Sequence, residues 1–208
     1  MKGNGMENLW KEQPKEINMK TIEHKECVDL VIIGSGHAGT CAAREAAQLG
    51  ASVIVIEQQN EEKQFILGMG EIGHINSKWQ ESHGVPKVDI DEFVEDWQKR
   101  TGNRSNYRLI RKYAKNCGET FDWFIEPLTE EEKNQIHPMF TPQSPNFPIT
   151  LNGFHAYSGT PNMGPTLQNK AVKASQRIAK EHGARFFFET KACQLIKEEN
   201  RVSGVIDK

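Results

Sequence analysis

The 208 residues carry 26 Lys plus Arg against 28 Asp plus Glu, a formal charge of -2 that excludes the strongly basic field typical of nucleic-acid binders. The first twenty residues, MKGNGMENLWKEQPKEINMK, lack the apolar core of a signal peptide, and no later run approaches the ~20 apolar residues of a membrane-spanning helix. A cytoplasmic protein with no nucleic-acid partner and no transmembrane segment is expected, with Cys27, Cys41, Cys117 and Cys193 as reduced core thiols because no CxxC spacing links them.

In chain order, residues 1–25 read as a polar arm in which Trp10 and Pro14 are the features suited to dock on a surface. The β-branched run Cys27 to Ile33 predicts a strand buried on both faces, and Ser52 to Ile56 repeats the signal. Between them Ala38 to Leu49 is rich in alanine, favours helix, and is stopped by Gly50. Strand, helix and strand within some thirty residues predict a βαβ unit.

A glycine-rich loop follows, with a short helix expected near Ile75 to Gln80. Ile90, Phe93, Val94 and Trp97 fall at helical spacing in a segment ended by Gly102. Leu109, Ile110, Tyr113, Ala114, Cys117, Phe121 and Phe124 predict a longer helix, kinked at Gly118. Thr129 and Glu132 have the spacing of a capping box, so a short helix starts there. Residues 138–166 hold six prolines without periodicity and read as a long loop: a lid, a binding loop or a partner surface. Leu167, Ala171, Ala174 and Ile178 then mark a helix closed by Gly183. ARFFFET reads as a buried strand, and QLIKEENRVSGVI as a hairpin turning at Glu199 and Asn200.

The chemistry is written where the first strand meets its helix. Gly34, Gly36 and Gly39 form G-x-G-x-x-G: the first permits a tight turn, the second lets a pyrophosphate approach the backbone, and the third lets helix and strand pack closely. Helix-terminal amides then face the phosphates. Glu57 ends the second strand, where a carboxylate can accept both hydroxyls of an adenosine ribose. The acid also disfavours NADP, whose 2'-phosphate would meet negative charge. About 125 residues separate the second strand from the next apolar one, an insertion that favours FAD over NAD.

The segments VDLVIIGSGHAGTCAAREAAQLGASVIVIEQ, LGMGEIGHINSKW and GARFFFETKACQLIKEENRVSGVI together resemble the N-terminal half of the fumarate reductase and succinate dehydrogenase flavoprotein family. The similarity is to its soluble branch, which includes ketosteroid dehydrogenases and urocanate reductases. It implies an α/β fold: a Rossmann-like FAD-binding domain over residues 26–208, with a helical and loop insertion at about 60–165 and a terminal β-hairpin. By that resemblance Gly34, Ser35, Gly36, Ala38, Gly39 and Glu57 hold the ADP half of FAD, with Gln58 near the adenosine and Ala192 meeting the adenine through its backbone. Gly70, Gly73, Asn76 and Ser77 fall in the ribityl and isoalloxazine neighbourhood. Apolar residues near Leu67 stand where membrane-bound members carry a flavin-attaching histidine, which implies non-covalent FAD; His74 is the nearby alternative attachment point.

The family places its catalytic arginine, its ligands for the substrate carboxylate and its capping domain after such a hairpin. The resemblance therefore implies a hydride transfer between flavin and a small unsaturated acid or enone in a longer parent protein, with this chain incomplete. A non-catalytic truncated dinucleotide-binding piece and an NAD-dependent reductase remain as alternatives. His37 either contacts the cofactor or faces solvent, and His155 either approaches substrate from a lid or lies on the surface. TEEEK at 129–133 is an acidic helix start favoured by the macrodipole. No catalytic or metal-ligating set stands out by spacing.

Overall fold

In the computed structural model, residues 16–64, 72–139 and 160–208 are described. The turn and first crossover follow the expected order: β1 (Leu30–Ile33), α1 (His37–Gln48) and β2 (Val53–Ile56). β1 and β2 pair in parallel with Leu30 opposite Val53 and Ile33 opposite Ile56. The insertion supplies α2 (Lys78–Ser82), α3 (Ile90–Arg100), α4 (Tyr107–Ile125) and α5 (Glu130–Lys133). Two short strands, β3 (His137–Met139) and β4 (Thr160–Asn162), pair antiparallel, so the ends of the proline-rich stretch expected to be loop are strand; residues 140–159, with His155, lie outside the described residues. A long helix α6 (Gly164–Glu181) leads to β5 (Arg185–Phe187), which joins β2 in parallel, and β6 (Ala192–Glu198) with β7 (Arg201–Asp207) closes the chain as the expected hairpin.

The helices start where their caps dictate. Asp89 accepts from the amides of Asp91 and Glu92 at the head of α3, and Asn106 accepts from Leu109 at the head of α4. Ser77 with Gln80 and Thr129 with Glu132 form two capping boxes that open α2 and α5. Pro165 in the first turn opens α6 three residues ahead of the apolar stripe read from sequence. Ahead of β1 the arm is not free along its whole length: the amide of Ile17 donates to Oε1 of Gln194 at 2.7 Å.

The sheet order is β1-β2-β5, and α1 and α6 pack against each other and against one face of it. Val53 and Val55 meet Ala43, Ala47, Ala179 and Ala184 there; the small alanines let both helices approach the strands. β2 is buried at every residue, as expected of a central strand. β1 departs from expectation. It is an edge strand, and Val31 and Ile33, on the face away from the helices, are 37% and 55% exposed. β5 forms the other edge, so the expected buried strand has an exposed Phe187, with Phe186 tucked on the helical side. A sequence reports apolar character, whereas burial on both faces needs neighbours on both sides.

A second core joins the insertion to α6: Trp79, Phe121, Phe124, Ile125, Leu128 and Ile136 pack with Met163, Leu167, Ala171 and Val172. Arg44 of α1, 1% exposed, ties the two regions together. It donates to the carbonyl of Trp123 at 2.9 Å, pairs with Glu126, and lies 4.0 Å from the centre of the Trp123 ring. Ile75, Phe93, Val94, Ala114 and Cys117 make a third core between α3, α4 and the loop before α2. The four cysteines are free thiols; Cys117 is buried, but Cys27 is exposed, which corrects the expectation that all are core residues.

Gly118 does not kink α4, which runs unbroken from Tyr107 to Ile125. It is a contact point: a Cβ there would lie 2.6 Å from the carbonyl oxygens of Ile75 and Asn76. Gly118→Ala must push α4 off this loop. A loss of about 1–3 kcal/mol in urea unfolding is expected, and unchanged stability would show that the helix and loop are not in this contact.

Candidate functional site

The site begins with a chain reversal. β1 ends at Ile33, Gly34 takes φ +91°, and its amide donates to the carbonyl of Ile56 at 2.7 Å. Gly36 caps α1 with no side chain, and the first intrahelical bond runs from the amide of Thr40 to the carbonyl of Gly36. The amides of His37, Ala38 and Gly39 are thereby left without intrahelical acceptors, at the positive end of a twelve-residue helix. A Cβ on Gly36 would meet nothing within 4 Å, so open space adjoins these amides. Gly39 is the opposite case: its Cβ would sit 1.9 Å from the carbonyl oxygen of Gly34.

Ser35 and Glu57 lock the turn from inside. Oε2 of Glu57 accepts from the amide of Ser35 at 2.8 Å and from its hydroxyl at 3.2 Å, while Oε1 accepts from the amide of Gln59 at 2.8 Å. Burial opposes ionisation of Glu57, but the N–H donors of Ser35, Gln59 and Gln58 outweigh it and hold the carboxyl below the usual carboxylate range. Ser35 is fully buried, with its amide and hydroxyl turned away from the open side. Its carbonyl accepts from Oγ1 of Thr40 at 2.8 Å and Nε2 of Gln176 at 3.2 Å, and Nε2 of Gln64 donates to Oγ of Ser35 at 2.6 Å. Gln176 also donates to Oε1 of Gln64 at 3.1 Å.

The other residues singled out from sequence fall into four groups. Gln58 is exposed just beyond β2, where the amides of Glu189 and Thr190 donate to the carbonyls of Gln59 and Glu57; Ala192, two residues on, opens β6 opposite Asp207. Gly73 lines a cavity of about 720 Å³ that opens beside the start of α1. Asn76 and Ser77 do not face it as free groups: Asn76, at φ 62°, exchanges both side-chain hydrogen bonds with the backbone of Val88, and Ser77 caps α2 at 2% exposure. Gly70 and Leu67 lie outside the described residues.

The cavity wall combines His37, Ala38 and Cys41 of α1, one face of α4 from Leu109 to Phe124, residues 72–74, and Gln168 of α6. His74 is 6% exposed, stacks on Phe121 at 4.1 Å, and has both ring nitrogens engaged, Nδ1 with the carbonyl of Ile72 at 3.0 Å and Nε2 with Oγ of Ser77 at 2.7 Å. Burial lowers its pKa. A neutral ring that donates to the carbonyl and accepts from the hydroxyl satisfies both contacts. Tyr113 donates to the carbonyl of Gly73, and burial pushes its phenol up to about 12.

Sequence reasoning passed over Gln64, Thr40, Gln168 and Gln176. The buried face of α6 is Leu167, Gln168, Ala171, Val172, Ser175, Gln176 and Ala179, which is rotated from the apolar stripe of Ala174 and Ile178. Polar residues at helical spacing among apolar ones were the available signal.

Two substitutions separate the lock from the open side. Glu57→Gln should cost about 2 kcal/mol of stability at neutral pH by removing charge-assisted bonds from a buried site. Because the folded-state pKa is depressed, the unfolded chain takes the proton first as pH falls from the ordinary value of 4.5 towards the folded one, and native stability drops across that window. The variant should lack this contribution; an identical acid limb in urea unfolding would contradict it. Gly39→Ala should unfold the turn outright, lowering the thermal midpoint by many degrees.

Over residues 29–208 the sequence matches the FAD binding domain family. Digoxin reductase of Eggerthella lenta is 27% identical over 161 residues, which covers 74% of this chain and 29% of the relative. A cytochrome-type fumarate reductase of Shewanella frigidimarina is 31% identical over 102 residues, 47% of this chain and 17% of that protein. The chain thus spans less than a third of the length of these relatives. Among solved structures, the 3-ketosteroid-Δ4-(5α)-dehydrogenase of Rhodococcus jostii RHA1 superposes with a TM-score of 0.71 at 19% identity, covering 91% of this chain and 44% of that one; at such identity the likeness is one of fold. Among the described residues no helix is long and apolar enough to cross a membrane. The unspent amides beyond Gly36, with a strand-end carboxylate bracing the turn behind them, are the features such a domain needs for a dinucleotide, and the chain belongs to the FAD binding domain family, with FAD as its cofactor.

Proposed function

We propose that this chain holds FAD non-covalently across the head of α1, as the cofactor-binding part of a flavin-dependent oxidoreductase. The observation that carries the reading is the trio of unspent amides beside the open space at Gly36. In this reading the amides of His37, Ala38 and Gly39 take the diphosphate, and Gly34 and Gly39 give the turn its shape. Ser35 acts from behind through its bonds to Glu57. Glu57, with Gln58 and the Ala192 backbone, adjoins the adenosine. The apolar cavity beside Gly73 takes the flavin end, and Asn76 and Ser77 shape the loop beneath it. His74, with both nitrogens occupied, is poorly placed to form a covalent link.

When bound, the flavin supplies hydride-transfer chemistry. This chain's residues bind and orient it, and the apolar wall of Phe121, Phe124 and Ile72 excludes water from it. In the parent protein the partner in that transfer is a small unsaturated acid or an enone. The relatives support this class: one is named a fumarate reductase, and the ketosteroid dehydrogenase structure holds 4-androstene-3,17-dione. A cytoplasmic setting accompanies the reading, in keeping with four free thiols.

Visible absorption of the purified chain, before and after acid precipitation, tests the proposal. Flavin bands that pass to the supernatant are expected; a colourless protein that takes up no added FAD would falsify it, and preferential uptake of NAD would transfer the site to nicotinamide chemistry. Gly36→Val should fold with a wild-type thermal midpoint, since its side chain enters open space, yet weaken FAD binding by about 100-fold or more, roughly 3 kcal/mol. Unchanged affinity in a folded variant would remove the diphosphate from this turn.

A further inference from the structure

Among the described residues, two buried nitrogens in one cavity wall have no hydrogen-bond partner: Nε2 of His37 and Nε2 of Gln168. Folded proteins rarely keep such groups unpaired, because a buried donor without an acceptor loses its hydration and gains nothing in exchange. Gln168 is 3% exposed, so bulk water does not serve it. Apart from the exposed Lys112, the other polar side chains of the wall along α4 and at His74 are already committed. His74 is held by Ile72 and Ser77, Tyr113 by Gly73, Asn116 by the carbonyl of Lys112 at 2.6 Å, and Thr120 by the carbonyl of Asn116 at 2.9 Å.

The position of His37 gives the pair a direction. As first residue of α1 its backbone amide belongs to the set beside Gly36, while its ring turns to Phe124, with centroids 6.1 Å apart. A ligand whose anionic part lies on the helix terminus therefore continues past His37 into the cavity. Ala38, Cys41, Ile72, Phe121 and Phe124 offer it an apolar surface; among the described residues no carboxylate lines the wall, and the one ammonium that does, Lys112, is exposed. The space suits a flat ring system with hydrogen-bond acceptors along one edge; Nε2 of Gln168 and, in its Nε2–H tautomer, Nε2 of His37 supply two N–H donors for that edge.

Resting on the FAD reading above, we propose that His37 and Gln168 are positioning residues for the isoalloxazine, donating to acceptors on its pyrimidine edge. Donation there favours the reduced ring, on which negative charge accumulates, so the pair sets the reduction potential as well as the orientation. Neither side chain takes a proton or an electron. Their role is geometric and electrostatic.

The test uses the full chain loaded with FAD. His37→Phe keeps an aromatic ring against Phe124 and Gln168→Met keeps the length of the side chain; both remove the donor. Each should still bind FAD, with displaced visible bands and a lower midpoint potential, and His37→Asn, which retains an N–H, should recover part of the shift. If both donor-less variants bind FAD with wild-type bands and potential, the proposal is overturned while the FAD reading stands. If the wild-type chain binds no FAD, both fall together. Should His37→Phe fail to fold, Gln168→Met decides alone by the same readouts.

Discussion

The close approach of Gly39 to the carbonyl of Gly34 is the constraint on which the rest depends. With a would-be Cβ at 1.9 Å, only a glycine lets α1 start where it does, directly after a strand that has just reversed direction. That position fixes three things together: the helix axis against the sheet, the unspent amides at its head, and the face of α1 that meets α4. Arg44, two turns along α1, then carries the same placement into the insertion through Trp123 and Glu126.

The turn is rigid because its polar groups are divided by direction. Ser35 turns inward and is saturated by Glu57, Thr40, Gln64 and Gln176; the amides that follow turn outward and keep their capacity. One buried carboxylate, one hydroxyl and two glutamine amides complete this set. The strand-end acid therefore has a second task beyond any contact with a ribose. It satisfies the buried donors of Ser35 and the amide of Gln59, and its own ionisation is upheld by those donors.

The insertion, which at first sight separates two strands of one sheet, is what gives the site a second wall. α4 packs against the loop before α2 through Gly118 and against α6 through Phe121, Phe124 and Leu167. A cavity is left between α4 and the first turn of α1 because these contacts lie on either side of it. The outer face of the sheet is different in kind: Val31, Ile33 and Phe187 are exposed there, and both edge strands owe their partial burial to the helical side alone.

Much of the fold was legible in the sequence because its determinants are local. G-x-G-x-x-G after an apolar strand, Gly50 after an alanine-rich helix, the Thr129 and Glu132 capping pair, and the turn at Glu199 and Asn200 each act within a few residues, so spacing alone determines them. Tertiary structure decided what depends on distant neighbours. It made β1 an edge rather than a strand buried on both faces, turned Gly118 from a kink into a contact, and rotated the buried face of α6 so that Gln168 and Gln176 point inward. Gln176 and Ser35 are 141 residues apart, and no local pattern encodes a hydrogen bond across that separation. Local spacing in the chain set the glycine turn at the head of α1; the packing of α4 and α6 set which side chains stand around it, because burial and hydrogen-bond partners are properties of what the fold brings together.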